Sequence, residues 1–318
     1  MHVLPSATPR GGSLIARAVA VAQLATGTAQ AVSLMRKAQP RAVIGFGGYP
    51  TVPPLLAANF LHIPTVLHES NAIMGKANRF LSGRVDKIAA GLPNLNVPPA
   101  LQSKLVVTGN PVRPSVLAVA GQPYPGFEGG VLRLLVTGGS QGARVMSDIV
   151  PEAVTALPAE LRARLRLVQQ ARAEDVERVQ AIYAAAGVEA EIAPFFADLP
   201  ARIAAAHVVI ARAGASTVTE LAVIGRPSLL VPLPQSLDGD QAANAAMIAE
   251  AGAAEMVRQS DFIPAFLAGR LAEWLAAPQE LARRAQAAKS VGVADAAERL
   301  ADVVLSVAAG RDLERRQV

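Results

Sequence analysis

Short apolar runs rich in branched side chains recur along this 318-residue chain, and longer stretches, several of them amphipathic, separate them. The nine runs are residues 42–46, 64–68, 85–90, 104–109, 132–138, 164–170, 190–195, 207–211 and 228–233. A strand, helix, strand rhythm with β-branched runs is typical of parallel sheets that are covered on both faces. The pattern therefore predicts an α/β protein.

A segment rich in proline and glycine, residues 120–130, separates the first four runs from the last five. Such composition marks a loop or a linker. A chain of this length, with 52% hydrophobic residues, is long enough for two domains with their own cores. We therefore predict one domain over residues 1–121 and a second that begins at residue 122.

The chain contains no cysteine, which excludes disulfides, thiolate metal sites and cysteine nucleophiles, and is compatible with a reducing cytoplasm. The most apolar segment, residues 13–35, is interrupted by Arg17, Gln23, Gly27 and Gln30. It falls short of the roughly 18 uncharged residues that a spanning helix needs. It also lacks the cleavage pattern of a secretion signal.

Charge is unevenly distributed. Residues 1–113 carry 11 of the 30 basic residues but only Glu69 and Asp86 among the 25 acidic ones, a net charge of +9 against −4 for the remainder. A basic front part suits an anionic partner, either phospholipid or nucleic acid. Nucleic acid is disfavoured because aromatic residues make up only 4% of the chain and no nucleic-acid motif is present.

The run at residues 132–138 ends in Gly138 and Gly139, and an amphipathic pattern begins directly behind Ser140. Glycines at the carboxyl end of a strand let a ligand approach the backbone, and the following helix directs unpaired N–H groups at it. Either a phosphate site or a tight turn with a good N-cap would fit. The spacing is not that of the dinucleotide fingerprint.

A second turn of this kind follows the run at residues 207–211, where "RAGAS" leads into a helix that carries Thr217 and Glu220. We expect this helix to end at Gly225. Thr217 lies in the first turn, where it could meet a phosphate, and Glu220 could accept hydrogen bonds from a ribose diol. Glu220 could equally be a solvated acid on the helix face.

Five segments in this order resemble the MurG family: "GFGGY" (45–49), "LHESNAIMGKAN" (67–78), "GNPVR" (109–113), "GGSQGA" (138–143) and "RAGASTVTE" (212–220). That family transfers N-acetylglucosamine from UDP-N-acetylglucosamine to lipid I, forming lipid II for peptidoglycan. The resemblance implies an inverting hexosyltransferase of GT-B fold, with two Rossmann-like domains whose parallel sheets face a cleft.

The resemblance also implies roles for the parts of the chain. Residues 1–121 would be the acceptor and membrane-facing domain, residues 122–296 the UDP-sugar domain, and residues 297–318 a helix that packs back on the first domain. The residues implied to bind UDP-N-acetylglucosamine are Asn71, Arg113, Ser140, Gln141, Phe195, Phe196, Arg212, Thr217, Glu220, Gln241 and Asn244. Phe195 and Phe196 would border the uracil, and Glu220 would face the ribose.

On the acceptor side, the resemblance implies Tyr49 and the catalytic candidates His68, Glu69 and Asn71, with lipid I as the second substrate. For His68, a structural hydrogen-bonding role is the alternative. The single displacement needs neither a cofactor nor a metal. The motif "DGD" at residues 238–240 invites a metal-site interpretation, but no partner ligands are visible in the sequence.

The chain departs from the family pattern at its start. The family's first strand and its glycine-rich turn ending in histidine have no counterpart here, so we expect an incomplete N-terminal domain and poor transfer by this polypeptide alone. Two alternatives remain open. One is a catalytically weak or dead UDP-sugar-binding protein. The other is a different GT-B enzyme, of the UDP-N-acetylglucosamine 2-epimerase or diacylglycerol glycosyltransferase type.

The basic front part suggests peripheral attachment to the cytoplasmic face of the inner membrane, where an anionic surface would be a partner. A helical stripe within residues 13–35 and a second group of apolar and basic residues are candidates for this surface. The two groups are Leu14, Ile15, Ala18, Val19, Ala22 and Ala25, and Phe60, Leu61, Lys76, Arg79 and Phe80. For Leu14, Ile15 and Val19, packing against the sheet is the favoured alternative.

Overall fold

The computed structural model describes residues 2–8, 13–139, 142–234, 236 and 239–316, with side chains to residue 310. The chain forms two units, one of residues 1–111 and 295–318 and the other of residues 112–294. Each of the nine apolar runs overlaps a strand. A tenth strand, at Ala254–Met256, was not predicted because its short, mixed sequence carries no β-branched signal.

The first unit is built around a parallel sheet in the order β1-β2-β3-β4. Its elements are α1 (Leu14–Ala38), β1 (Val43–Gly45), α2 (Val52–Phe60), β2 (Thr65–Glu69), α3 (Lys76–Ser82), β3 (Lys87–Ala90), β4 (Leu105–Val107) and, from the end of the chain, α13 (Ala296–Arg316). The side chains of β2 are buried throughout, as expected for a strand covered on both faces.

The second unit contains a six-stranded parallel sheet between helices. Its elements are α4 (Pro114–Ala120), β5 (Leu132–Thr137), α5 (Arg144–Thr155), α6 (Ala159–Arg162), β6 (Leu165–Gln170), α7 (Val176–Ala185), β7 (Glu189–Ala193), α8 (Leu199–Ala205), β8 (Val208–Ala211), α9 (Ala215–Ile224), β9 (Ser228–Leu230), α10 (Asp240–Glu250), β10 (Ala254–Met256), α11 (Pro264–Ala276) and α12 (Pro278–Val291). Leu132, Leu134, Met146 and Leu165 lie at its core and are fully buried.

The sheet order is β10-β9-β8-β5-β6-β7. Counted from β5 as the first strand, this is the 3-2-1-4-5-6 order of the Rossmann fold. The order reverses between β5 and β8, which are neighbours in the sheet although two strands separate them in the chain. Open α/β sheets bind their ligands outside the carboxyl ends of the strands at this switch point.

The boundary between the units lies at Pro111, before the segment of residues 120–130 that the sequence marked as a linker. Helix α4 packs on α8 and α9, and Tyr124 donates a hydrogen bond of 2.8 Å to the carbonyl oxygen of His207. The whole of this segment therefore belongs to the second unit. At the far end of the chain, α13 packs on β2 and β3 of the first unit.

Helix α1 exposes much of its apolar surface. Leu14, Ile15 and Val19 are 82%, 77% and 51% exposed, so the expectation that they pack against the sheet is wrong. The helix instead contacts α2 through a face whose buried residues are small or flexible, including Ala31 and Met35. Contrary to the expectation for residues 13–35, α1 is long and apolar enough to cross a membrane by length and composition alone, a test that core helices of soluble proteins and signal sequences also pass.

Candidate functional site

The turn that follows β5 can be formed only by glycine at its key positions. A Cβ atom on Gly138 would lie 2.1 Å from the backbone nitrogen of Ala143. Gly139 and Gly142 have φ angles of +80° and +67°, which L side chains rarely adopt. Glycine thus lets the chain turn sharply from β5 into α5. The predicted contacts of Ser140 and Gln141 lie outside the described residues.

Helix α5 begins at Arg144, and its N-cap residue, Ala143, has no side chain that could cap the first turn. The first N–H groups of a helix have no partner within the helix and carry the positive end of its dipole. The N-cap position of α9 is Gly214, which likewise provides no capping side chain. Two helix N-termini therefore stand at neighbouring strands, an arrangement that favours an anionic ligand. The prediction that α9 ends at Gly225 is confirmed, since this glycine adopts the left-handed conformation with φ +76°.

Both turns border one cleft in the second unit, with a volume of about 980 Å³. The residues that line it are Gly138, Gly139, Gly142, Ala143, Arg144, Val145, Arg172, Arg212, Gly214, Ala215, Ser216, Thr217, Leu233, Pro234, Gln241 and Gln259. The structure thus brings together Thr217, Arg212 and Gln241, three of the residues predicted from the resemblance. Thr217 lies in the first turn of α9, as predicted.

Arg212 lines the cleft and is held by hydrogen bonds to two neighbouring segments. Its guanidinium donates to the carbonyl oxygens of Val231 and Pro232 at 3.0 and 3.2 Å, and to Oε1 of Gln259 at 2.6 Å. Burial lowers the pKa of Arg212 from its ordinary value, because the charged form loses solvation. These contacts tie the turn after β8 to the segment after β9. Arg212 therefore helps to set the shape of the cleft wall.

Gln241 and Asn244 both hold the turn after β8. Oε1 of Gln241 accepts from the backbone nitrogens of Ala213 and Leu233 at 3.3 and 3.0 Å. Asn244 is fully buried, and its Nδ2 donates to the carbonyl oxygen of Ala213 at 3.1 Å. Gln241 lines the cleft, whereas Asn244 is not among the described residues that line it. Leu237 and Asp238 of the same loop are outside the described residues.

Arg113 and Glu220 form an ion pair, with 2.9 Å between Nη2 of Arg113 and Oε1 of Glu220. The Glu220 side chain is only 10% exposed, whereas that of Arg113 is 59% exposed. Without a partner, a carboxylate so little exposed would lose much of its solvation. Arg113 thus provides the partner that Glu220 needs, and the solvated-acid alternative for Glu220 is wrong.

Phe195 and Phe196 follow β7, and the structure gives them different environments. Phe195 is 71% exposed, whereas Phe196 is buried with the guanidinium of Arg202 at 4.3 Å from its ring centroid. Neither side chain is among the described residues that line the cleft. Their predicted place beside the uracil therefore stays a prediction.

Sequence reasoning missed Gln170, the last residue of β6. Its Oε1 accepts from Oγ1 of Thr137 at 2.9 Å and from the backbone nitrogen of Gly138 at 3.1 Å. Its Nε2 donates to the carbonyl oxygen of Pro194 at 3.2 Å. The available signal was the pair Gln169–Gln170 at the carboxyl end of an apolar strand, where the sheet would bind ligands.

In the first unit, Glu69 ends β2 and is almost fully buried. Its Oε1 accepts from the backbone nitrogen and Nδ2 of Asn71 at 3.0 and 3.3 Å. Its Oε2 accepts from the backbone nitrogen of Gly75 at 3.0 Å and from Nδ2 of Asn78 at 2.7 Å. Four donors therefore surround this carboxylate, and together they fix the loop that connects β2 with α3.

His68 is 3% exposed, and its Nε2 lies 3.4 Å from the carbonyl oxygen of Gly109. The ring of Phe46 lies 5.6 Å away, centroid to centroid. Burial lowers the pKa of His68, although the bond to Gly109 and the charge of Glu69 act in the opposite direction. The neutral imidazole is therefore favoured. Tyr49 is half-buried and packs against the apolar core of this unit.

Among the described residues, no group of three or more histidine, aspartate or glutamate side chains is placed to hold a metal ion. Asp238, half of the acidic pair in "DGD", lies outside them.

Family models match two parts of the chain. The C-terminal domain of glycosyltransferase family 28 matches residues 133–300, and the N-terminal domain of that family matches residues 7–90. A protein of Methylobacterium sp. (strain 4-46) is 58% identical over 308 residues, which are 96% of this chain and 83% of that protein. It is named UDP-N-acetylglucosamine--N-acetylmuramyl-(pentapeptide) pyrophosphoryl-undecaprenol N-acetylglucosamine transferase. A protein of the same name from Rhodopseudomonas palustris (strain BisA53) is 55% identical over 96% of this chain and 82% of its own length.

The solved structure of Acinetobacter baumannii MurG superimposes with a TM-score of 0.76 at 31% identity, covering 95% of this chain and 83% of that one. This chain belongs to the MurG family. MurG relatives and the two parallel-sheet units together show the predicted GT-B fold. UDP-GlcNAc 2-epimerase from Neisseria meningitidis, at 15% identity, 89% and 82% coverage and a TM-score of 0.60, shares the fold alone.

Proposed function

We propose that this chain transfers N-acetylglucosamine from UDP-N-acetylglucosamine to lipid I, the undecaprenyl-diphosphate-linked muramyl pentapeptide, and so forms lipid II. One observation of the site carries the proposal: two glycine turns lead into two helices without capping side chains, and both border one cleft. This is a site for a diphosphate. Relatives at 55–58% identity bear the name of this transferase, which disfavours the epimerase and diacylglycerol alternatives.

The reaction is a single displacement. The lipid I hydroxyl attacks the anomeric carbon, the bond between that carbon and the UDP oxygen breaks, and the configuration is inverted. UDP leaves with the bonding electron pair, and the hydroxyl proton is released. The N-termini of α5 and α9 stabilise the charge that develops on the departing diphosphate, because their N–H groups are already oriented.

Arg113 and Glu220 change partners in this proposal. Glu220 accepts hydrogen bonds from the ribose diol, and Arg113, whose side chain is already more than half exposed, turns to the diphosphate. The ion pair thus keeps both groups satisfied until the donor arrives. Thr217 meets the diphosphate from the first turn of α9, and Phe195 and Phe196 border the base.

On the acceptor side we assign His68, Asn71 and Tyr49 to the surroundings of the lipid I headgroup. His68 and Glu69 stand at the carboxyl end of β2, which is where parallel sheets present their ligands. The neutral state favoured for His68 would allow its imidazole to accept a proton.

Incubation with UDP-N-acetylglucosamine and a soluble lipid I analogue tests the transfer. We expect release of UDP and a disaccharide product with inverted anomeric configuration. Parallel reactions with diacylglycerol, and with water alone, separate the alternatives. Epimerisation of the sugar without acceptor, or transfer to diacylglycerol but not to lipid I, would disprove the proposal.

We further propose peripheral attachment to the cytoplasmic face of the inner membrane, where lipid I would be met. Support comes from the exposed apolar side chains of α1 and from Phe60 and Phe80, which are 67% and 49% exposed. The net charge of +9 over residues 1–113 suits an anionic leaflet. Flotation with liposomes should depend on anionic lipid and weaken with salt. Equal flotation with neutral liposomes would contradict this.

A further inference from the structure

The side chain of Gln170 bridges two loops, a role beyond capping a helix or filling the core. Gln170 is 6% exposed. The amide oxygen takes two hydrogen bonds from the end of β5, and the amide nitrogen gives one to the segment after β7. The residues it joins, Gly138 and Pro194, are far apart in sequence.

On the β5 side, the contact orients the glycine turn. Gln170 accepts from the backbone nitrogen of Gly138, and it accepts the hydroxyl proton of Thr137. Oγ1 of Thr137 in turn accepts from the backbone nitrogen of Gly139 at 3.4 Å. Because the hydroxyl proton goes to Gln170, the oxygen lone pairs remain for Gly139. Gln170 therefore determines, directly and through Thr137, where two successive peptide groups of the turn point.

On the β7 side, the contact holds the carbonyl group of Pro194, directly before Phe195 and Phe196. The backbone reinforces it, since the nitrogen of Ala171 donates to the carbonyl oxygen of Ala193 at 3.1 Å. Phe196 is buried a few residues on, so a shift of Pro194 would move its ring.

We propose that Gln170 is a positioning residue that connects the glycine turn after β5, which would bind the diphosphate, with the segment after β7, which would border the base. It would thereby hold the two parts of the site at the separation that a nucleoside diphosphate requires. The inference rests on the proposed sugar-nucleotide site and adds the element that sets its geometry and base selectivity. Gln170 acts through Gly138, Thr137 and Pro194 and need not touch the ligand. Misplacement of a binding group by about 1 Å can cost on the order of a hundredfold.

The neighbouring Gln169 provides a matched control. It is fully buried, its Nε2 donates to the carbonyl oxygen of Met146 at 3.2 Å, and its Oε1 accepts from Oη of Tyr183 at 2.6 Å. Its two partners lie on α5 and α7, and within the described part of the chain its side chain forms no hydrogen bond to the glycine turn or to the segment after β7. Gln169→Leu therefore removes comparable buried hydrogen bonds without releasing the two loops.

The experiment measures UDP and ADP binding by calorimetry, together with thermal unfolding, for the parent, Gln170→Leu and Gln169→Leu. We expect Gln170→Leu to weaken UDP binding by about tenfold to a hundredfold and to reduce the preference for UDP over ADP. Gln169→Leu should lower the unfolding temperature but keep UDP binding within about twofold. Equal losses of UDP affinity in the two variants would overturn the inference, because the role of Gln170 would then be structural.

Gln170→Glu separates the two contacts and keeps the side-chain shape. The carboxylate can still accept from Thr137 and Gly138, but it cannot donate to the carbonyl of Pro194. The negative charge of this glutamate should weaken the binding of UDP and ADP equally. The ratio of UDP affinity to ADP affinity therefore measures only the effect on recognition of the base. We expect this ratio to fall, and an unchanged ratio would overturn the coupling. If the parent itself binds no UDP, the proposed function fails, and the variants are not needed to show it.

Discussion

The family resemblance implies a catalytic role for Glu69, but in the structure the carboxylate of Glu69 is already hydrogen-bonded within the protein. Three of its hydrogen-bond donors lie in the loop between β2 and α3. The fourth, Nδ2 of Asn78, lies on α3 and also donates to the carbonyl oxygen of His68. A carboxylate has about four lone-pair sites, so little capacity is left for a substrate proton. The geometry favours a role in positioning Asn71 and the end of β2.

Glu69→Gln tests this role. The new amide must direct its NH₂ group at one pair of donors, either those of Asn71 or those of Gly75 and Asn78. At least one buried donor then loses its acceptor, at a cost of about 1–3 kcal/mol. Urea unfolding should show the lower stability, and hydrogen exchange should be faster in residues 70–78, which form the loop and the start of α3.

The control is Glu298→Gln, which removes the same charge from an exposed position on α13. It should leave both measurements nearly unchanged. If Glu69→Gln has the unfolding free energy and the hydrogen-exchange rates of the wild type, the positioning role is excluded.

His207 gives the second unit a pH-dependent stability. Its Nδ1 accepts from the backbone nitrogen of Arg133 at 2.9 Å, and its Nε2 lies 3.0 Å from the carbonyl oxygen of Gly126, which fits the neutral tautomer with the proton on Nε2. The ring stacks on Phe127 with 4.0 Å between centroids. Burial, and the nearby charges of Arg133 and Arg226, lower the pKa of His207 from 6.5. The bond to Gly126 opposes this shift without reversing it.

Because the folded-state pKa is lowered, the unfolded chain binds the proton more readily. The stabilising contribution of His207 is complete above pH 6.5 and is lost as the pH falls below it towards the folded-state pKa. We expect the free energy of unfolding to decrease between about pH 7 and pH 5.5. NMR should show the His207 imidazole titrating below 6.5, separately from His68, whose shift has the same direction. His2→Gln should keep this pH dependence, and titration of His207 at or above 6.5 would contradict the prediction.

At the scale of elements, the turn between β5 and α5 depends on glycine both for its backbone conformation and for the access of a ligand to the helix N-terminus. The chain must reverse within a few residues and still present the first turn of α5 without a capping side chain. Glycine makes both possible, because Gly138 has no side chain to collide with Ala143.

Gly138→Ala would place a methyl group against the Ala143 backbone and push α5 away from the turn. We expect UDP affinity to fall by about tenfold or more, because the N–H groups of the helix would be displaced. Calorimetry with UDP measures this. Gly121→Ala is the matched control, since a Cβ there meets nothing within 4 Å and φ is −80°. Equal UDP affinities in the parent and Gly138→Ala would argue against a phosphate site at this turn.

At the scale of the whole molecule, the first unit is assembled from both ends of the chain. Leu300 of α13 is 5% exposed and packs with Val66 of β2 and Ala89 of β3. Val303, Val304 and Val307 extend the same contact. The sheet of this unit is therefore covered on one side by residues more than 200 positions away in sequence.

Leu300→Ala should destabilise the first unit by about 2–5 kcal/mol, the usual range for a buried leucine. Hydrogen exchange should rise in β2 and β3 and stay unchanged in β5 and β8. Leu305→Ala, on the same helix but 66% exposed, is the control and should behave like the parent. If the two variants are equally stable, α13 does not stabilise the sheet of the first unit.

The sequence by itself determined the features that depend on neighbouring residues. Branched apolar runs located nine of the ten strands in the described part of the chain, because a strand buried on both faces needs them. Glycine positions located the turn after β5 and the end of α9 at Gly225, because positive φ and close backbone approach exclude other residues there. The five motifs that resemble the MurG family predicted the activity.

Only the tertiary structure decided how distant residues combine. It joined Gln170 to the glycine turn, gave Glu69 its four donors, paired Arg113 with Glu220, and left Leu14 and Ile15 exposed. The sequence shows that a side chain can donate, accept or be buried, but not which partner comes within 3 Å. That distance depends on how strands and helices pack, and the packing follows from the whole chain.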